Sequence, residues 1–574
     1  MKIMSLNAQV AEVFTQIADY MEVAGENSFK IRAYRRAAEA VATHSAPIEA
    51  AAEAGTLRDI EGLGEATAAK TLEFLQTGKV QYLERLKEEY PPGLMELLRV
   101  PGLGPKKVAA LYEERKIENR EGFAAALEAG TLRGLSGFGP KTLENLKRSL
   151  ERMDKLTTRL PISAALAAAE KLQTQIEAAP EIERVFITGS LRRGCDTVGD
   201  INLLAQGTIP GEAVLPSLPG VLETLESENG VRVRIHPGIE VGLQTAPASQ
   251  IGAALFWTTG NVAHREEAVR RAEKLGYELR RDGLFSHEAV LLQTQTEEEI
   301  YAALNVPFIA PELREGRDEW RAADADELPR LIETADIRGD LHSHSTWSDG
   351  AVSIRQMAQA MLARGYEYFA VTDHSKALAM ANGLNAARLR EQAREIEEVQ
   401  ADFPDLKILR GVECDIMRDG SLDLDDDILH ELDIVIASVH SAFTLDEATQ
   451  TARMIRAISH PAVDIIAHPT GRILGVRAPY DVNVNALIAA AKETRTTLEI
   501  NASERLDLND EHAFAAREAG VLLAVDTDAH STRMLANIEL GLLTARRAWC
   551  EAGDVLNAKP AAELMAWLER SESR

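Results

Sequence analysis

The spacing of apolar residues divides the chain into three regimes. Up to about residue 155, Ala and Leu recur at helical spacing among Glu, Lys and Arg, with Gly-rich interruptions and no strand alternation, which predicts an all-helical region. Between about 160 and 320, strand-like runs at 184–188, 201–204 and 239–243 stand among helical segments, so an α/β or α+β domain is expected. From Asp336 onward, seven short apolar runs alternate with helical segments. This alternation predicts parallel strands joined by crossover helices. The acidic, Ala-rich stretch 318–334 reads as the connector.

A chain of 574 residues exceeds what one hydrophobic core usually supports, so several domains are expected. No apolar run approaches the ~18 residues of a membrane span, and Glu12 and Asp19 fall where a signal peptide would be apolar. The expectation is a cytoplasmic protein with no membrane partner. Cys195, Cys414 and Cys550 lie too far apart for a disulfide framework or a paired zinc motif and read as reduced, ordinary residues. The net charge of -27 argues at first against nucleic acid, because phosphate binding runs on Lys and Arg. Local basic stretches at 30–36 (KIRAYRR) and 105–107 (PKK) offset this average, so charge alone decides nothing.

One internal repeat is visible in the helical region: IEGLG at 60–64, VPGLG at 100–104 and LSGFG at 135–139. Each precedes a helix-like segment. A single copy reads equally well as a glycine cap or turn. Three copies favour another role, because glycines let backbone N–H groups approach a phosphate at a helix N-terminus. The pattern resembles the hairpin-helix-hairpin DNA-binding element, which implies Gly62, Gly64, Gly102, Gly104, Gly137 and Gly139 as DNA-binding positions. Such contacts grip phosphates without reading sequence.

The polar residues at the C-terminal ends of the seven late strands are the most informative feature. His342 and His344 stand at i and i+2, on one face of an extended chain, with Asp349 in the loop that follows. The next runs end in His374, Glu413, His440 and His468, and the last leads to Asp528 and His530. Only the run 497–501 lacks an evident ligand. In a barrel of parallel strands these ends converge, so nine His and carboxylate groups would meet. One strand-end histidine is usually structural, but six strand ends of seven point to metal. Nine ligands exceed the three or four of a single catalytic zinc, so two or three ions are implied. Mixed nitrogen and oxygen donors suit Zn2+, Mn2+ or Fe rather than Ca2+.

The segments DLHSHSTWSDG, TDHS, GVECDI, SVHS, AHPTGR and DTDAH resemble the PHP family, named for polymerase and histidinol phosphatase. The resemblance implies a distorted (β/α)7 barrel with three ion sites. One would be shared by His342, His344, Glu413 and Asp528, a second by Glu413, His440 and His468, and a third by Asp349, His374 and His530. Clustered ions position a nucleophile for in-line attack on phosphorus and stabilise the leaving oxygen. Phosphoester hydrolysis is the implied reaction class.

Gly189-Ser-Leu-Arg-Arg193-Gly, followed by Gly199-Asp200-Ile-Asn202, resembles the nucleotidyltransferase signature of family X DNA polymerases. With the Gly-rich repeats, Thr259-Gly260, the segment 306–317 and the PHP segments, the whole chain resembles the bacterial branch of that family. The implied architecture is multidomain. A helical DNA-binding domain spans 1–80 and helical fingers 81–155. An α/β nucleotidyltransferase-like palm spans 156–248, a thumb 249–317, a linker 318–335 and the PHP domain 336–574. Ser190, Arg193 and Gly199 would hold a nucleoside triphosphate. Lys70 stands six residues after Gly64, where some members place the Schiff-base lysine of a deoxyribose-phosphate lyase.

At the palm the chain departs from the family. Two-ion nucleotidyl transfer, with Mg2+ or Mn2+, needs carboxylates between the primer hydroxyl and the nucleotide phosphates. The pattern Gly-Asp-x-Asp is here Asp200-Ile-Asn202, and the third aspartate falls on Gly242. Glu240, two residues earlier on the same strand side, could stand in, displaced by about 6 to 7 Å. Severely weakened or absent polymerase activity is expected. The favoured reading is a DNA-repair enzyme that trims 3' ends with its PHP centre. The alternatives are a working gap-filling polymerase using Asn202 or Glu240, a DNA-end-binding scaffold, and a small-molecule phosphatase. Gapped DNA is the expected partner, with nucleotides and other repair proteins as further ones.

Overall fold

The computed structural model describes residues 6–43, 48–60, 62–98, 100, 103–135, 137–140, 142–144, 146–147, 150, 159–225, 231–235 and 238–571. They fall into two compact units, Met1–Lys155 and Leu156–Arg574. Every element described in the first unit is helical. Helix Leu6–Val23 presents Val10, Phe14, Ile17 and Met21 at helical spacing to Tyr34, Ala37 and Val41 of helix Ser28–Thr43. A second cluster gathers Leu94, Leu97, Val108, Leu111, Phe123 and Leu132.

The described ends of the three Gly-rich repeats are closed by the same backbone hydrogen bond. Leu63 N–H donates to Ile60 O at 3.0 Å, Leu103 to Val100 at 2.9 Å and Phe138 to Leu135 at 3.1 Å. Leu63, Leu103 and Phe138 are buried and pin each hairpin. Gly62 and Gly137 take φ of 99° and 83°, and a Cβ on Gly62 would meet Ala40 Cβ at 2.9 Å, so a larger residue is excluded there. In the first two copies a helix precedes the hairpin and another follows, the inverse of the order expected from the sequence.

In the second unit five strands build the palm sheet: β1 (Ile182–Thr188), β2 (Asp200–Gly207), β3 (Val221–Leu225), β4 (Val231–Ile235) and β5 (Ile239–Ala246). Their order is β1-β2-β5-β4-β3, with β2 and β5 parallel and the other pairs antiparallel. Ile201, Leu203 and Ala205 of β2 and Val241 and Leu243 of β5 join one core with helix Ile162–Ile176. Strand alternation therefore turns Asp200 and Asn202 to the other face. The thumb packs helices around a three-stranded meander, β6 (Tyr277–Arg280), β7 (Gly283–Ser286) and β8 (Leu291–Leu292).

The expected connector is no free tether. Helix Glu319–Asp324 buries Glu319 and Trp320 in the thumb. Glu319 Oε1 lies 2.8 Å from His264 Nδ1, and the Trp320 ring stacks on the His264 ring at 4.7 Å. An acidic, Ala-rich composition concealed both contacts, which need a histidine 55 positions away from Glu319.

Seven parallel strands in sequence order form the C-terminal barrel: β9 (Gly339–Asp340), β10 (Tyr368–Val371), β11 (Lys407–Asp415), β12 (Ile434–Ser438), β13 (Ile465–Ile466), β14 (Thr497–Asn501) and β15 (Leu523–Asp526). A parallel bridge between Ser343 and Ala529, with His344 N–H donating to Ala529 O at 2.9 Å, brings the first and last strands together. The strands are buried on both faces. Ile434 and Ile436 belong to one cluster, Val435 and Ala437 to the other. Leu564 and Leu568 of the C-terminal helix Ala561–Ser571 join the first of these clusters. Among the described residues no helix is long and apolar enough to cross a membrane.

Leu564 of that helix is fully buried, and Leu564→Ala should lower the unfolding free energy of the barrel by about 2–5 kcal/mol, read by chemical denaturation.

Candidate metal centre

The ends of six barrel strands deliver all nine expected ligands to one place. Glu413, on β11, is 1 % exposed and stands at its middle. Its Oε1 lies 3.0 Å from His468 Nε2 and 3.3 Å from His440 Nε2. Its Oε2 lies 2.7 Å from His374 Nδ1, 3.5 Å from His342 Nε2 and 3.6 Å from His344 Nε2. Asp528 Oδ1 is 3.1 Å from His344 Nε2 and 3.6 Å from His342 Nε2. Asp349 Oδ1 is 3.3 Å from His530 Nε2 and 3.6 Å from His374 Nε2. Ligand atoms close enough to share an ion occur as His344–Asp349–His374–His530, His342–His344–Glu413 and His374–Glu413–His440. His344 and His374 thus each belong to two clusters.

The charges of this cluster are tightly interdependent. Burial opposes the charged form of Glu413, yet His374, His440 and His342 hold its pKa well below the carboxylate range. Burial likewise opposes charge on His440, but Glu413 and Asp415 push it up to about 10. Burial lowers His344 to about 3, helped by His530 and His374, and lowers His468 to about 3, helped by Arg505. Both ring nitrogens of His344 and Nε2 of His342 are buried without a hydrogen bond. Buried polar atoms demand partners, and imidazoles that give up their protons to a bound ion, beside ionised carboxylates, are a donor set suited to divalent transition metals. The residues fit the ions that the sequence implies.

Sequence reasoning missed the support beneath the ligands. Glu499, in the run that lacked an evident ligand, is fully buried and lies 2.7 Å from His342 Nδ1. It also accepts from the backbone N–H of His468 at 2.6 Å. Such a carboxylate fixes the tautomer and orientation of a ligating imidazole. Asp373 accepts from Ser345 N–H at 2.8 Å and from Gln392 Nε2 at 2.6 Å, which ties down the loop that follows His344. Arg505, 3.8 Å from Asp528, brings a guanidinium to the edge of the cluster.

In the palm, Asp200 pairs in register with Glu240 and Asn202 with Gly242. Asp200, Asn202 and Glu240 therefore do meet, but around Arg232, whose Nη2 donates to Asp200 Oδ2 at 2.8 Å and Asn202 Oδ1 at 3.0 Å. Ser190 lies in the short helix Gly189–Arg192 that follows β1, and Gly199 immediately precedes β2. Arg193 is engaged by Glu315 at 2.9 Å and by the Thr259 carbonyl at 2.9 Å. Glu315 also binds Arg547 of the barrel at 2.6 Å, and Arg472, four residues after the ligand His468, reaches Asp196 at 2.8 Å. Burial opposes charge on Glu315, but Arg547 and Arg193 hold it down to about 2.

In the first unit, Gly62, Gly64, Gly104, Gly137 and Gly139 are exposed on their hairpins, as phosphate contact requires. Gly102 lies outside the described residues. Lys70, on helix Glu65–Thr77, holds its amine 5.2 Å from the centre of the Tyr82 ring and 5.7 Å from that of Tyr34.

Fold and centre together define a protein in which a barrel of metal-dependent hydrolase type is built onto a nucleotidyltransferase-like palm. Residues 5–80 match the Helix-hairpin-helix domain, 94–152 the SAM-like Helix-hairpin-helix tandem, 254–315 the DNA polymerase beta thumb and 340–503 the PHP domain. The chain is 39% identical to the DNA polymerase/3'-5' exonuclease PolX of Bacillus subtilis (strain 168), over 98% of this chain and 99% of that protein. It belongs to the family X DNA polymerases that carry a C-terminal PHP domain. The barrel alone is 34% identical to a probable phosphatase of Thermoanaerobacter sp. (strain X514), over 38% of this chain and 89% of that protein. A probable phosphatase of Shewanella halifaxensis (strain HAW-EB4) is likewise 34% identical, over 40% of this chain and 91% of its own length.

Replacing Glu499 by Gln should leave the barrel folded and lower its divalent-metal affinity by about 10- to 100-fold, read by metal titration.

Proposed function

We propose that the chain is a DNA-repair enzyme whose barrel hydrolyses DNA phosphodiesters as a metal-dependent 3'-5' exonuclease, and whose palm incorporates nucleotides weakly or not at all. The observation that carries the first part is the convergence of six imidazoles and three carboxylates on one barrel mouth. Bound Mn2+, Zn2+ or Fe would supply the positive charge that activates water and stabilises the leaving oxygen. The chain's own contribution is to hold the donors rigidly. Glu499 orients His342, and Arg505 offers a cation to a phosphate at the rim. The hairpins would grip the DNA backbone without reading its sequence, in a protein placed in the cytoplasm beside its substrate. Similarity to full-length PolX supports DNA over a small phosphoester, since the probable phosphatases align with the barrel alone.

Weak incorporation is supported by an amide at Asn202 and no side chain at Gly242, which leave Asp200 alone of the three expected aspartates, with Glu240 beside it. Nucleoside triphosphates and Mg2+ or Mn2+ remain the palm's ligands on the alternative reading of a gap-filling polymerase, and other repair proteins are further partners. With labelled gapped DNA and Mn2+, the 3' strand should shorten, and added nucleotides should lengthen it far more slowly than is typical of the family. His344→Ala should abolish shortening. Unchanged hydrolysis by the pure, metal-replete variant sinks the assignment. The resemblance also gives Lys70 a Schiff-base role on abasic DNA. That role predicts a borohydride-trapped adduct that disappears in Lys70→Ala.

A further inference from the structure

The palm cleft contains its own cation. Arg232 on β4 stands opposite Gly242 of β5 in the antiparallel register, and Arg234 stands opposite Glu240. Besides its bonds to Asp200 and Asn202, Arg232 brings Nη1 to 3.6 Å from Glu240 Oε2, while Arg234 Nη2 lies 3.3 Å from Glu240 Oε1. A Cβ on Gly242 would lie 3.5 Å from Arg232 Cζ and 3.2 Å from Asn202 Oδ1. That clearance lets a guanidinium reach the cleft floor, and a carboxylate at position 242 would compete for the same volume. Asn202 fits the arrangement as well, since its amide oxygen accepts from Arg232 without adding charge.

We infer that Arg232 is the resident cation of this palm, lying between Asp200, Asn202 and Glu240 where nucleotidyl transfer requires divalent ions, so that the cleft does not take up the catalytic metal pair. Arg232 faces Asp200 and Glu240, and Arg234 bridges Glu240 to Glu223, 2.6 Å away on the neighbouring strand. A guanidinium does not lose its proton in proteins, so the cation stays charged beside these carboxylates throughout the physiological pH range. An arriving ion would also meet a fixed like charge 2.8 Å from Asp200 Oδ2. The inference starts from the reading of the palm as degenerate and goes beyond it. Ligand loss alone leaves a weak site that concentrated Mn2+ fills, whereas a built-in cation leaves none.

The test counts Mn2+ bound per full-length chain by paramagnetic resonance of the free ion, in the presence of gapped DNA and nucleotide. Asp200→Asn in the parent chain should leave the count unchanged. Arg232→Gln should raise it by one ion, and Arg232→Gln combined with Asp200→Asn should return it to the parent value. Loss of an ion in Asp200→Asn alone overturns the inference, as does no gain in a folded Arg232→Gln. If Arg232→Gln does not fold, Asp200→Asn in the parent background still decides. Nucleotide incorporation, measured on the same samples, reports separately on whether the polymerase is weak.

Discussion

Glu413 places the strictest demand on the structure. A carboxylate almost wholly withdrawn from water costs several kcal/mol unless opposite charge and hydrogen bonds surround it. Here five imidazoles, His342, His344, His374, His440 and His468, approach its two oxygens, and they come from four strand ends besides its own strand. Each must arrive in register, because a slip of one residue would turn its ring to the opposite face. The near-closure of the barrel between Ser343 and Ala529, and the apolar plug from the C-terminal helix, serve this convergence. Fold and chemistry are therefore one constraint.

Much of this was legible before any coordinates. Short apolar strands that end in His, Asp or Glu stand out against the polar loops, so the barrel, its seven strands and its nine donors could be read in order. Glu499 could not. In the run TLEIN it is one acid among apolar neighbours on a strand buried on both sides, and only its depth and its contact with His342 give it meaning. The burial of Trp320 within the connector was not legible, because it depends on His264, a remote partner. Arg232 was passed over for the same reason. It lies 32 residues from Asp200, and only strand register brings the two together.

Palm and barrel balance their acids in two ways: Glu413 and Asp528 of the barrel are buried, Asp200 and Glu240 of the palm half-exposed. The barrel uses imidazoles, which exchange protons and can turn lone pairs toward an ion. The palm uses guanidiniums, which donate hydrogen bonds but offer no lone pair. The difference follows from side-chain chemistry alone: one cleft presents lone pairs, the other N–H donors.

The shared carboxylate Glu315 has a further effect on the integrity of the molecule. It clasps Arg193 from the palm and Arg547 from the barrel, while Arg472 grips Asp196 and Leu506 of the barrel is buried in the palm's apolar core. A nick in the backbone near residue 330 would sever the covalent path without loosening these clamps. Proteolysis there would yield two fragments that still travel as one particle, with the barrel mouth and the palm cleft held as before.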